Sequence, residues 1–284
     1  MTMVGTPPPL PVRDRAAAAD RTAGALSPML RRLAEEQATG VLVREHGTLY
    51  LARGRVVHAE SPLAPGLGVL LTAHGTLAAA AWQRAAERAG GTADAARLLL
   101  DAGVLPAGAL ELCHLDALYD AGYFALTPSS TPGRFRYDGT PRVGPLPSVP
   151  VVALERETLR RRLLLHRLWP DPAADSAPLI RADPASGAQV TSRRRAVLDR
   201  VDGVRTALEI ARDLGRQAFH TLVDVRRLAA AGLVRAAPGA PGAPGARGLP
   251  PVPPIPPAPA APPLTVTDPD IALLKRLRDA LEAL

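Results

Sequence analysis

Hydrophobic residues follow two different periodicities along the chain. Between residues 40 and 59, short apolar runs are separated by the pairs His46-Gly47 and Arg53-Gly54, as in strands joined by tight hairpin turns. Gly54 is expected to take a positive φ in its turn. These runs predict an antiparallel three-stranded meander, with strands at 41–45, 49–52 and 56–59.

Apolar residues at helical spacing surround the meander. Ser27-Pro28 predicts the start of a helix, because Ser is a favoured N-cap and Pro fits the first turn. Further helices are predicted at 69–71, 79–89 and 93–101, with another from 106 to 119 or 124, and a last strand is predicted at 134–137. Helices combined with an antiparallel meander predict an α+β domain over residues 25–138.

A second helical region runs from Arg193 to Arg235. Three helices are predicted there, with Gly203, Gly215 and Gly232 close to their C-terminal ends. A short Gly-Leu-Val strand follows the third helix. This order resembles a winged-helix domain with its helix-turn-helix at 206–231, so we predict a mainly helical, winged-helix-like domain over 176–236.

The meander also carries a recognisable glycine pattern. Gly40 opens the first strand, Leu49-Tyr50 lies in the second, and Gly54 precedes Val-Val-His-Ala, before the helix that follows Pro65-Gly66. This pattern resembles the PATAN domain family of bacterial signalling proteins over about residues 25–138. The resemblance implies a protein-interaction module of the kind found beside winged-helix or receiver domains.

A connecting helix is predicted at 151–169, within the linker region 139–175. Its acidic residues precede its basic ones, which suits the helix dipole, and Glu157 and Arg161 have the spacing of an i,i+4 ion pair. Its apolar stripe consists of Leu159, Leu163, Leu164 and Leu168. The stripe either docks on the chain's own domain or forms the interface of a homodimer.

Composition separates the ends of the chain from the folded regions. Residues 1–24 are predicted to be disordered. Residues 237–267 are rich in Pro and Gly and are predicted to form a stiff tether. A C-terminal amphipathic helix is predicted over 268–284, with Asp268-Pro269 at its start. Its candidate partner-binding residues are Ile271, Leu274, Leu277 and Leu281. The helix is expected to dock either on a partner or back on the folded domains.

The net charge of +7 is concentrated in the second half of the chain. Residues 27–126 carry −2, whereas residues 151–235 carry +6. Such a basic excess favours binding to the phosphates of DNA. The alternative is that these arginines are the ordinary surface charges of helices in an arginine-rich protein. The candidate DNA contacts are Arg193, Arg194, Arg195, Arg205, Gln217, His220, Thr221 and Arg227. Asp224, expected on the same exposed face, would repel phosphate.

No catalytic or cofactor motif is found. The six histidines have no metal-ligand spacing, and His58, near the end of a strand, is the one we single out. The Gly66-Leu67-Gly68 sequence lacks the third glycine of a dinucleotide fingerprint, and there is no P-loop. We therefore predict a protein that is not an enzyme, with no catalytic residues, no metal and no cofactor.

The remaining sequence features concern location and function. The single cysteine, Cys113, excludes an intrachain disulfide framework and fits a reducing cytoplasm. No signal peptide and no apolar run long enough to span a bilayer are found, so we expect a cytoplasmic protein without a membrane partner. The predicted function is a winged-helix transcriptional regulator that binds duplex DNA, with a PATAN-like domain that serves protein interaction or sensing. The alternative is a signalling adaptor whose domains bind protein partners without DNA.

Overall fold

A computed structural model describes residues 26–73, 75–137, 146–182 and 189–238. The predicted disorder of residues 1–24 lies outside these residues, as do nearly all of the tether and the whole predicted C-terminal helix. The candidate partner-binding residues that lie outside them are Ile271, Leu274, Leu277 and Leu281.

The first half of the described chain contains a five-stranded antiparallel sheet. Its strands are β1 (Gly40–Arg44), β2 (Gly47–Ala52), β3 (Arg55–Glu60), β4 (Arg134–Arg136) and β5 (Val149–Pro150), in the order β4-β1-β2-β3-β5. The pairings confirm the predicted meander and the last strand beside it. β5, which pairs with β3, was not predicted, because two residues carry no measurable periodicity.

Five helices accompany this sheet in the described chain: α1 (Pro28–Glu35), α2 (Leu67–Ala73), α3 (Ala79–Arg88), α4 (Thr92–Asp101) and α5 (Ala107–Ala125). Ser27 caps α1 as predicted, since its hydroxyl accepts a hydrogen bond from the Leu30 N–H and Pro28 lies in the first turn. α5 packs against β2 and β3, while α2, α3 and α4 share a separate small apolar cluster with its N-terminal half. The α+β class is thus confirmed.

The second half of the described chain is mainly helical. Its elements are α6 (Val151–Leu168), α7 (Ala173–Ser176), β6 (Leu179–Arg181), α8 (Ser192–Leu198), α9 (Ala207–Asp213), α10 (Ala218–Ala230) and β7 (Val234–Ala236). Thr206 and Glu209 form a capping box at the start of α9, which fixes where that helix begins. The three predicted helices and the strand after them are present, whereas α7 and β6 were not predicted.

The strand β7 pairs with β6, which precedes the three helices. A wing would also need β7 to pair with a strand later in the chain, and residues 239–284 lie outside the described part. The described chain therefore has the predicted order of three helices and a following strand, and a winged-helix domain stays a prediction.

One continuous hydrophobic cluster joins the two halves. It includes Leu42 and Leu49 of the sheet, Leu118 of α5, Leu154 of α6 and Leu222 of α10. The sheet and the helices α8–α10 therefore share a core within the described chain.

The face of α6 that enters this core is not the predicted leucine stripe. Leu159 and Leu163 are 39% and 55% exposed, and Leu164 and Leu168 are half-buried. The docking predicted for this stripe is therefore wrong for Leu159 and Leu163. The buried positions are instead Val151, Leu154, Glu155, Thr158, Arg161 and Leu165.

Two charged residues explain why the hydrophobic pattern did not predict the buried face of α6. Glu155 accepts hydrogen bonds from the Ser27 N–H at 3.0 Å and from the Arg31 side chain at 2.5 Å. Arg161 forms the predicted ion pair with Glu157, at 2.8 Å. Because their polar atoms are paired, these side chains tolerate burial at positions that a hydrophobic pattern assigns to solvent.

Candidate functional site

The helix predicted to read DNA, α10, is enclosed by its own chain. It contacts α6, α7, α8 and α9, and most of its side chains are buried. A helix that reads the major groove presents the residues of its N-terminal turns to base edges. The surroundings of that N-terminus therefore decide what α10 can contact.

The N-terminus of α10 is bound by Asp120 of α5. This carboxylate is fully buried, and it accepts hydrogen bonds from the Ala218 N–H at 2.6 Å and the Phe219 N–H at 2.9 Å. The first N–H groups of a helix have no partner within the helix, and a negative charge there also suits the helix dipole. Asp120 therefore serves as an N-cap supplied by a distant part of the chain.

Arg161 of α6 completes this contact. Its Nη1 lies 3.8 Å from Oδ1 of Asp120, and its guanidinium carbon lies 4.6 Å from the centre of the Phe219 ring. Burial raises the pKa of Asp120 to about 6, against the opposing effect of the two backbone N–H groups and of Arg161. Asp120 and Arg161 together join α5, α6 and α10 through polar contacts inside the core.

A second polar contact holds α10 further along its length. Arg226 donates two parallel hydrogen bonds to the Asp175 carboxylate, at 2.7 and 2.6 Å, and another to the Trp169 carbonyl. Asp175 lies on the short helix α7, and only 4% of Arg226 is exposed. Such bidentate pairs have a well-defined geometry, so this contact fixes the orientation of α10.

The predicted DNA contacts are divided between surface and core. Exposed or half-buried are Arg193, Arg194, Arg195, Arg205, Gln217, His220 and Arg227. Thr221 is buried, and its hydroxyl donates to the Gln217 carbonyl at 3.3 Å. Asp224 is also buried, and it binds Arg193 at 2.8 Å. The exposure predicted for Thr221 and Asp224 is therefore wrong, because that side of α10 faces the core.

Sequence reasoning did not single out Asp120, Asp175 or Arg226. A weak signal was present for Asp120, since it interrupts an otherwise apolar stretch of a helix at Leu118 to Gly122. Its partners, however, belong to a helix far away in sequence. Only the tertiary structure brings them together.

A separate polar row crosses the sheet at His58, the histidine singled out from the sequence. Tyr50 donates to one oxygen of Glu60 at 2.9 Å, and Nε2 of His58 lies 3.2 Å from the other oxygen. The rings of His58 and His114 stack, with their centres 5.9 Å apart. A cleft of about 230 Å³ lies beside His58 and Glu60.

His114, which lies on α5 beside this row, is more deeply buried than His58. Only 1% of the residue is exposed, and neither ring nitrogen makes a hydrogen bond of normal geometry to the described chain. Burial, with a smaller effect of His58, lowers the pKa of His114 to about 4, although the Val57 and Pro147 carbonyls act in the opposite direction. His114 is therefore neutral at pH 7.

No family model, curated protein or solved structure matches the chain. The resemblances to the PATAN family and to winged-helix domains thus stay predictions. Within the described residues, no helix has the length and apolar character needed to cross a membrane, and no His, Cys, Asp or Glu side chains are grouped as metal ligands.

Proposed function

We propose that the chain is a non-enzymatic regulatory adaptor that binds protein partners, with α10 docked in its core. The observation that carries this proposal is the pair of hydrogen bonds from Ala218 and Phe219 to Asp120. They bind the end of α10 that a DNA-reading helix would insert into the major groove. This favours the adaptor over the transcriptional regulator that we predicted first.

The energetics of the docked helix support the same proposal. Undocking α10 would expose Phe219 and Leu222, which are buried. It would also leave Asp120 and Asp175 without their partners, and unpaired buried groups are strongly destabilising. We therefore expect the docked arrangement to persist in solution.

A DNA-binding regulator is the second candidate, because one observation favours it. Arg193 is half exposed, Arg195 is exposed, and Arg194 lies between them at the start of α8. Contacts between these arginines and DNA phosphates would not require α10 to read the bases. They would give binding that is independent of sequence and sensitive to salt.

Fluorescence anisotropy with the full chain and mixed genomic duplexes, at low and physiological salt, separates the two functions. The adaptor proposal expects no salt-dependent binding. It would be overturned by binding that Arg194→Ala with Arg195→Ala weakens, with a salt slope reduced by about 0.9 per lost phosphate contact. Arg84→Ala with Arg97→Ala is the matched control, since it removes the same charge from exposed positions of α3 and α4.

A further variant tests whether the docked helix hides a DNA-binding function. Asp120→Ala removes both acceptors at the N-terminus of α10. The adaptor proposal expects this variant to bind duplex DNA no better than the wild type. A gain of DNA binding would show that the docking of α10 inhibits a DNA-binding function of the chain, and would overturn the proposal.

A further inference from the structure

We propose that the outward face of α6 binds an acidic amphipathic helix of a partner protein. This inference rests on the proposed adaptor function and assigns it a surface. We define the α6 face by its exposed residues: Val152, Arg156, Leu159, Arg160, Leu163, His166 and Arg167.

The apolar residues of the α6 face form a stripe. Val152, Leu159 and Leu163 are 51%, 39% and 55% exposed. With Arg156 between the first two, they follow the spacing of a single helical face. The opposite side of α6 is buried in the core, so the stripe has a fixed orientation toward solvent.

The charge of the α6 face is basic. Glu155 is buried, and Glu157 already binds Arg160 and Arg161 at 2.6 and 2.8 Å. Arg156 and Arg167 form no ion pair with any residue of the described chain. Among the residues that the structure describes, these two guanidinium groups flank the leucines without a carboxylate partner, which makes the face complementary to an acidic surface.

A shallow groove of about 330 Å³ runs beside this face. It is lined by Tyr119, Ala153, Arg156, Glu157, Arg160 and Arg161, of which Arg156 and Arg160 also belong to the α6 face. The Glu157 carboxylate in this lining is already paired with Arg160 and Arg161. Tyrosine and arginine, like tryptophan, are enriched among the side chains that dominate binding energy at protein interfaces. A helix lying along α6 can place apolar side chains on the leucines and carboxylates against the arginines.

Other occupants fit these observations less well. A second copy, the homodimer considered from the sequence, would bring the same arginines together across a symmetric interface. Duplex DNA would contact the arginines but would leave the leucines without an apolar partner. A flat lipid surface matches the basic and apolar residues but not the concave groove.

Binding of a synthetic probe to the full chain tests this inference. The probe is a labelled helical peptide of Leu and Glu, with Leu at i, i+3, i+4 and i+7, and its matched control carries Lys in place of each Glu. We expect the Glu peptide to bind about tenfold or more tightly than the Lys peptide, and to bind less tightly as salt is added. Equal binding of the two peptides would overturn the inference.

Substitutions on the α6 face test whether the peptide binds there. Leu163→Glu is expected to weaken binding of the Glu peptide about tenfold or more, because it adds a repelling charge to the stripe. Val204→Glu, at a position that is 75% exposed and outside α6, is the matched control and should leave binding unchanged. Circular dichroism melts verify that both variants are folded. Equal affinity in both variants would overturn the inference.

Two further measurements identify a different occupant. Sedimentation that shows a dimer of the chain, lost in Leu163→Glu, would assign the face to a second copy. Binding to phosphatidylserine vesicles, lost in the same variant, would assign it to a membrane surface. Either result without peptide binding overturns the inference. The adaptor function is tested separately by the DNA measurements, so failure of the peptide alone refutes only this surface.

Discussion

Asp120 and Ala218 are separated by 98 positions in the sequence, yet Oδ2 of the first accepts the backbone N–H of the second at 2.6 Å. In most helices the N-cap is the residue directly before the first turn. Gln217 occupies that position for α10, and its side chain makes no capping hydrogen bond. The start of α10 thus depends on the docking of α5, so local helix formation and tertiary structure are coupled at this carboxylate.

Removal of this carboxylate should destabilise the fold. Asp120→Ala leaves the Ala218 and Phe219 N–H groups buried without acceptors, so we expect the free energy of unfolding at pH 7 to fall by about 2 kcal/mol. Urea denaturation measures the change, and hydrogen exchange should show faster exchange at these two amides. Asp116→Ala, at an exposed position one turn earlier, is the control and should change stability by less than about 0.5 kcal/mol. Equal effects of the two variants would contradict the capping role.

The pH dependence of stability should carry a contribution from Asp120. Its pKa is about 6 in the folded protein, above the ordinary value of 3.8. Between these values the folded state binds a proton that the unfolded state does not, so acidification from pH 7 to pH 4 stabilises the fold through this group. Relative to Asp120→Asn, which cannot titrate, the wild type should therefore gain on the order of 2 kcal/mol over this range. A stability difference that is constant with pH would contradict the raised pKa.

His114 should act in the opposite direction. Its pKa is about 4 in the folded protein, below the ordinary 6.5, so between these values only the unfolded state is protonated. Acidification from pH 7 to pH 4 therefore destabilises the fold through this histidine. Relative to His114→Gln, the wild type should lose stability over this range, as measured by urea denaturation at several pH values. A wild type that gains stability instead would show that His114 is protonated in the folded state.

The parts of the fold that were predicted correctly are those with a local signal. The meander follows from apolar runs between X-Gly turns, and the start of α1 follows from Ser27-Pro28. The strands β5 and β6, of two and three residues, are too short to show a period and form only because β3 and β7 offer partners. Their existence is a tertiary effect, which a pattern along the chain does not contain.

The candidate site was harder to predict for a related reason. A hydrophobic pattern assigns Asp120, Glu155 and Arg161 to the surface, because an unpaired charge in the core is unfavourable. Each is buried here because its partners come from another element. The leucines Leu159 and Leu163, in turn, were assigned to a buried stripe and lie exposed, because the opposite face of α6 has paired charges. Tertiary pairing thus reverses which face of the helix is buried.

Gly54 offers a test of the turn between β2 and β3. Its φ is +72°, as predicted, and a Cβ there would lie 2.5 Å from the Ala34 carbonyl oxygen at the end of α1. Gly54→Ala combines backbone strain with this close contact, so we expect a loss of at least about 2 kcal/mol in the free energy of unfolding. Gly103→Ala, with φ +67° but open space around the added Cβ, should lose only about 1 kcal/mol. Equal melting temperatures for the two variants would mean that α1 moves away without cost.

The ion pair between Arg226 and Asp175 allows a test of how α10 is held. Arg226→Met keeps the apolar stem but leaves the Asp175 carboxylate largely buried without its partner, so we expect a loss of about 3 kcal/mol. Burial already raises the pKa of Asp175 even with Arg226 present, and the variant should raise this pKa further.

The matched comparison is the double variant Arg226→Met with Asp175→Leu. It removes both charges, and buried pairs replaced by apolar side chains are often close to neutral in stability. We therefore expect the double variant to regain most of the stability that the single variant loses, as measured by urea denaturation. Arg227→Met, at the exposed neighbouring position, should change stability by less than about 0.5 kcal/mol. A double variant as unstable as the single one would show that α10 is held by the specific hydrogen bonds of Arg226, including the one to Trp169, and not by relief of a buried charge.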